Sequence, residues 1–213
     1  MRVIDLTHKI SSETTVYPGT EPPILRAAAT YDKDMYKETL YTMFSHTGTH
    51  IDSPAHIFEG AKTLDEFPAS QFVGKALVID ASSVGRGGKI TMDILKEYGD
   101  ELGKAEFLLF YTGYGELFYS PEYLADYPVI DEGVLDFIIR GDYKGIGFDT
   151  ISLDPMEKLT MHRRLFSEKE MINIENLTNL GEVAGGLFDF VCLPLSVKDS
   201  DGAPCRAIAM LEN

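Results

Sequence analysis

Tryptophan is absent from the 213 residues, and only two cysteines and five histidines occur. The two thiols, Cys192 and Cys205, cannot staple a disulfide scaffold, and without a secretory context they read as buried and reduced. Cations are scarce: 19 Lys and Arg stand against 34 Asp and Glu, a net charge of −15. Such a surface repels phosphate backbones and anionic headgroups, which argues against nucleic-acid or membrane partners. No apolar run approaches the roughly 18 residues of a transmembrane helix. Asp5 interrupts the stretch near Met1 where a signal peptide needs its apolar core, so a cytoplasmic protein is expected. No low-complexity linker or internal repeat divides the chain, and residues 1–213 are expected to form a single domain.

Short runs rich in β-branched and aromatic residues recur and predict strands. They cover 3–6, 24–31, 39–45, 76–80, 107–111, 145–148, 171–174, 188–195 and 207–211. Helical patterns predict segments over 91–98 and 131–140, with Thr91 and Asp131 as N-caps and Asp93 and Glu132 favourably placed early in each. Pro121 suits the start of a short segment reaching about Asp126. Strands and helices without strict βαβ alternation indicate an α/β or α+β domain with a mixed sheet. Gly85-Arg86-Gly87-Gly88 and Tyr111-Thr112-Gly113-Tyr114-Gly115 match neither a phosphate loop nor a dinucleotide fingerprint.

What stands out is His46-Thr47-Gly48-Thr49-His50-Ile51-Asp52-Ser53-Pro54-Ala55-His56. Three of the five histidines fall here beside one aspartate. Imidazole nitrogens and a carboxylate oxygen are donors that zinc-like or manganese-like ions accept, and neutral His binds metal at pH 7 without first losing a proton. His46, His50, Asp52 and His56 are all separated by even numbers, so in an extended chain they share a face. A helix would also align His46 with His50, but Thr47-Gly48-Thr49 and Pro54 disfavour one. A strand end running into a rigid loop is the expectation. A second region supplies further donors: His162 begins a short helix-like stretch, Glu175 ends the alternating segment 171–174, and Asp149 and Asp154 lie nearby.

These residues resemble the cyclase-like metal-dependent hydrolases, a family that includes the bacterial arylformamidases (kynurenine formamidases). Its signature, His-x-Gly-Thr-His-x-Asp-x-Pro-x-His, is read here as HTGTHIDSPAH, with Thr47 as the first x. Supporting segments follow in order: Tyr17-Pro18-Gly19, residues 149–154, His162 ahead of Glu175-Asn176-Leu177, Leu193-Pro194-Leu195 and residues 201–206. The resemblance implies an α/β fold with a mixed sheet, the swivelling β/β/α domain of the cyclase-like proteins. It implies that His46, His50 and Asp52 bind a first divalent metal and His162 a second, Asp52 and Glu175 being shared. Zn2+ or Mn2+, one or two per subunit, would activate water for attack on an amide-type C–N bond of an N-formyl aryl amine or cyclic amide. His56 would be the general acid/base, and Tyr17, where relatives usually carry tryptophan, would meet a small-molecule substrate. His162 is followed by Arg163 where many relatives place a second histidine. A homodimer or higher homo-oligomer is also implied. Two other classes fit the same donors: a non-catalytic metal-binding or interaction protein, and a metal-dependent lyase or dehydratase using His56 to move a proton. A structural metal gains nothing from a spare acid/base, so His56 favours catalysis.

Overall fold

Phe107-Leu108-Leu109-Phe110 carries no polar residue at alternate positions, and a strand of that kind is stable only when both faces are covered. The computed structural model, which describes residues 1–212, shows how the chain covers them. In chain order the strands are β1 Arg2–Asp5, β2 Ile24–Ala29, β3 Glu38–Thr42, β4 His50–Asp52, β5 Val73–Asp80 and β6 Lys89–Ile90. They continue with β7 Phe107–Tyr111, β8 Val129–Ile130, β9 Gly145–Phe148, β10 Ile172–Glu175, β11 Phe188–Pro194 and β12 Gly202–Leu211. The α-helices are α1 Tyr31–Asp34, α2 Met92–Lys96, α3 Glu132–Arg140 and α4 Thr160–Glu168.

Eight strands make one mixed sheet in the order β1-β12-β11-β5-β7-β9-β10-β4. β5, β7, β9 and β10 are parallel neighbours, and the remaining pairs are antiparallel. β4 also pairs with the first residues of β12, so the sheet closes into a barrel-like ring. Alternation along each strand then sorts side chains between two cores. Val78, Phe107, Leu109, Ile172, Ile174 and Phe190 fill the enclosed face. Leu77, Ile79, Leu108, Phe110, Ile146 and Phe148 point outward against α2, α3 and α4. Each such Leu, Ile or Phe contributes about 1.5–3 kcal/mol of burial free energy, and the Phe110 and Phe148 rings stack at 4.9 Å. β9 offers glycine to the enclosed face, where a Cβ on Gly147 would lie 2.8 Å from Leu109 and Leu177 methyls.

Asp131 caps α3 as expected, accepting from Val134 N at 2.8 Å. Thr91 stands at the N-cap of α2 but makes no side-chain cap bond. The segment at Pro121 is a single 3-10 turn, Pro121–Leu124. Three expectations need correction. The strand expected over 24–31 stops at Ala29, because Tyr31 opens α1. The stretch around His162 is a full helix beginning at Thr160, and Asp154 caps it from a distance by accepting from Met161 N and His162 N. The histidine cluster is extended only over His50–Asp52, with His46 in a preceding turn and His56 in the 3-10 turn Pro54–His56.

β2 and β3 form a separate hairpin outside the ring, with Ile24, Leu25, Leu40 and Tyr41 exposed. Cys192 and Cys205 are free and buried. Among the described residues no helix is long and apolar enough to cross a membrane.

Candidate metal centre

Ile51 on β4 and Ile172 and Ile174 on β10 point into the enclosed core, which forces their sequence neighbours to the opposite face. Those neighbours are His50, Asp52, Asn173 and Glu175. The antiparallel register sets Asp52 against Asn173 and His50 against Glu175. On the other side of β4, Gly202 stands opposite Asp52, and a Cβ on Gly202 would collide with the His46 ring. α4 packs over this surface and delivers His162. Gly48 makes the turn into β4 at φ +65°, a left-handed conformation that suits glycine, and a Cβ there would press on Ile10 at 3.1 Å. Ser53 is extended ahead of Pro54, as a residue before proline should be.

The expected donors converge. Asp52 Oδ1 lies 2.7 Å from His46 Nδ1 and 3.2 Å from His50 Nε2. Its other oxygen, Oδ2, is 3.5 Å from His162 Nε2. Glu175 divides itself the same way, with Oε1 3.3 Å from His162 Nε2 and Oε2 3.6 Å from His50 Nε2. Two inner sets of donor atoms result, His46-His50-Asp52 and Asp52-His162-Glu175, each mutually within 4.8 Å, and a third, more exposed group joins His46 to His56 and Asp201.

The far nitrogen of each imidazole is fixed by an acceptor. His46 Nε2–H donates to Asp201 Oδ2 at 2.9 Å, His50 Nδ1–H to the Gly48 carbonyl at 2.9 Å, and His162 Nδ1–H to Asp154 Oδ2 at 2.8 Å. Such partners select the tautomer whose lone pair faces the centre, a recurring feature of metal-binding histidines. Ser53 N and Oγ each donate to the Asp201 carbonyl at 2.9 Å, holding Asp201 against the cluster.

Charge gives a test of whether a cation fits. Asp52 and Glu175 are buried, and among the described residues their only ion-pair partners are histidines. Burial alone would lower the His46 pKa, but hydrogen bonds to Asp201 and Asp52 outweigh it and push it up to about 10. His162 is likewise raised well above its ordinary value, burial being outweighed by Asp154, Asp52 and Glu175. Asp52, despite burial, is held well below the usual carboxylate range by the surrounding imidazoles, and Asp201 falls to about 2 beside His46. A cluster that draws protons onto its histidines this strongly is short of positive charge, and divalent cations displace such protons. The donor set and its electrostatics fit a divalent metal.

His56 behaves differently. It stands outside both inner sets, its ring 4.0 Å from the His46 ring and its Nδ1 3.7 Å from Asp201 Oδ2. Burial lowers its pKa, so at neutral pH it is an uncharged base. It faces a cavity of about 400 Å3 whose walls include Tyr17, Ile151 and Leu159 above the histidines. The Tyr17 hydroxyl accepts from Glu157 N at 2.8 Å, which fixes the ring in that wall.

The structure therefore brings His46, His50, Asp52, His56, His162, Glu175 and Tyr17 to one place. Sequence reasoning leaves Asp201 and Asn173 without a role and places Asp154 only near the second donor region, although all three touch the donors. Only the flanking positions of Asp154 and Asp201 within quoted segments hinted at them, and Asn173 sits inside what reads as an ordinary strand.

Comparison with known proteins agrees with this geometry. A kynurenine formamidase from Bacillus cereus is 29% identical over 214 residues, covering 96% of this chain and 95% of its own. Among solved structures, a "predicted metal-dependent hydrolase" from Bacillus stearothermophilus superposes with a TM-score of 0.79 at 27% identity, covering 98% of this chain and 97% of that one. The fold is also that of isatin hydrolase A from Labrenzia aggregata, bound to benzyl benzoate, with a TM-score of 0.86, 24% identity and coverage of 100% and 94%. The family model described as "Putative cyclase" matches residues 4–155, ending before His162 and Glu175. That match spans most of the chain and contains the whole His46–His56 cluster: the chain belongs to the cyclase family of metal-dependent hydrolases.

Proposed function

We propose that this protein hydrolyses an amide-type C–N bond, in an N-formyl aryl amine or a cyclic amide, with a divalent metal and a histidine acid/base. The observation that carries the reading is the division of labour among the histidines. His46, His50 and His162 each have one nitrogen tied to an acceptor and the other aimed at shared carboxylates, whereas His56 stays outside both sets and faces the cavity. The names of the relatives, kynurenine formamidase and isatin hydrolase, support the bond type.

His46, His50 and Asp52 would hold a first cation and Asp52, His162 and Glu175 a second, with Zn2+ or Mn2+ equally suited to N/O donors. Bound there, a cation lowers the pKa of water and polarises a carbonyl oxygen. His56 then takes a proton from the attacking water and returns it to the departing nitrogen. Tyr17, its hydroxyl held, presents a ring face to an aryl group.

The exposed β2–β3 hairpin, with Ile24, Leu25, Leu40 and Tyr41 outward, supports a homodimer or higher homo-oligomer. Light scattering at micromolar concentration is expected to give at least twice the chain mass, and a monomer would refute it. One sheet draws strands from Arg2 to Leu211, which supports a single domain. The free thiols of Cys192 and Cys205 support a reducing compartment, the cytoplasm.

The direct test is protein purified without chelators, assayed for zinc and manganese and then against N-formyl aryl amines, cyclic imides and lactams. Hydrolysis that disappears on chelation and returns with metal is expected. Full activity in metal-free protein would refute the reading.

A further inference from the structure

Asn176 follows Glu175 at the end of β10 and is buried in a left-handed conformation, φ 58°. Glycine meets such a backbone at least cost, so a buried asparagine here points to a use for its carboxamide. The backbone is secured without it: Asn176 N donates to the Thr150 carbonyl at 3.0 Å, and its own carbonyl accepts from Thr49 Oγ1. Both ends of the side chain are engaged as well. Oδ1 accepts from the buried Tyr123 hydroxyl at 2.7 Å, and Nδ2 donates to the Gly48 carbonyl at 2.8 Å. The Gly48 carbonyl has no proton to give, so it decides which end of the carboxamide faces it.

That carbonyl is the one to which His50 Nδ1–H donates at 2.9 Å. With two lone pairs it takes both donors, whose nitrogens stand 3.3 Å apart. Gly48 is the soft link between turn and ligand. At φ +65° and with no side chain, its peptide could swing and carry away the acceptor that selects the His50 tautomer. Asn176 holds it from another strand's end, 128 positions along the chain. The path runs from the Tyr123 hydroxyl through the Asn176 carboxamide and the Gly48 carbonyl to His50 Nδ1, which leaves Nε2 facing Asp52 and Glu175.

We propose that Asn176 is a positioning residue for the cation at His46-His50-Asp52: by pinning the Gly48 carbonyl it fixes the tautomer and the aim of His50. Because it directly follows Glu175, the end of β10 supplies a ligand of one set and orients a ligand of the other. The assignment rests on the metal reading above but not on the reaction.

The test is calorimetric titration of chelator-stripped protein with Zn2+, beside thermal melting of the metal-free forms by circular dichroism. His50→Ala marks the equivalent bound at His46-His50-Asp52 by losing it. Asn176→Gly keeps the backbone conformation and removes only the carboxamide. It should weaken that same equivalent about 10–100-fold and leave any other at wild-type affinity. Thr49→Val removes a bond to the Asn176 backbone but leaves the carboxamide in place, and should lower the melting temperature while keeping zinc affinity. Wild-type affinity in Asn176→Gly overturns the proposal, since the position would then serve backbone conformation alone. Equal weakening by Thr49→Val also overturns it, as the mark of a general packing effect, and so does weakening in Asn176→Gly of an equivalent that His50→Ala leaves intact. If Asn176→Gly does not fold, Tyr123→Phe, which frees Oδ1, is read in its place: a smaller loss in the same equivalent is expected, and wild-type affinity overturns the proposal. Should zinc bind and weaken as expected while no amide is hydrolysed, the functional reading fails and this assignment stands.

Discussion

Asp52→Ala is expected to empty the centre of metal and to lower kcat by on the order of 10³-fold or more, since several kcal/mol of transition-state stabilisation depend on the cation. Asp52 faces three histidines, whereas Glu175 faces two. One Asp52 oxygen faces His46 and His50, and the other faces His162 and Asn173. Removing the carboxylate therefore subtracts a ligand from both sets and the counter-charge that holds the His46 and His162 protons. Asp52→Asn isolates the charge, because it preserves shape while leaving a weaker donor. Metal content by elemental analysis and turnover on the best amide substrate check both variants. Retention of wild-type metal by Asp52→Ala would show that the two sets do not depend on a shared carboxylate.

His56→Ala should do the opposite on one axis and the same on the other: metal content unchanged, kcat reduced about 10²–10⁴-fold, the usual worth of a positioned acid/base. Its ring packs beside His46 without joining the inner donors, so truncation leaves both sets intact. Burial depresses its pKa, and the sign of the resulting pH dependence follows. Below that depressed value the imidazole is protonated and cannot accept a proton from water, so the wild-type rate should fall on the acid side, beneath the ordinary histidine range. In His56→Ala that acid limb should vanish from the residual activity. Equal turnover in the two proteins would remove His56 from the chemistry.

The central strands were legible because a parallel strand buried on both faces reads as an unbroken apolar run, as Phe107 to Phe110 does. The His46–His56 cluster was legible because its donors are local in sequence. Even spacing misled in one respect: His46 and His56 reach the same centre as His50 and Asp52 through a glycine turn and a 3-10 turn, and only His50–Asp52 is strand. Asp154, Asp201 and Asn173 were not legible, since each acts through a contact made far along the chain. His162 meets Asp154 across a loop and a helix start, and Asn173 meets Asp52 through strand register. No local pattern encodes register between β4 and β10.

Ring closure by β12 carries a consequence for the order of assembly. Among the described strands β12 is the last to be synthesised, yet it borders β4, and Ser53 and Asp201, 148 positions apart, join there. Until that strand docks, His46 lacks the acceptor that sets its tautomer, and β4, three residues long, has a partner on one side only. Closing so long a loop is entropically late. Metal capture by His46, His50 and Asp52 would therefore wait for β12 to dock, and a chain that bears the whole histidine cluster but lacks a docked β12 should be a poor metal binder.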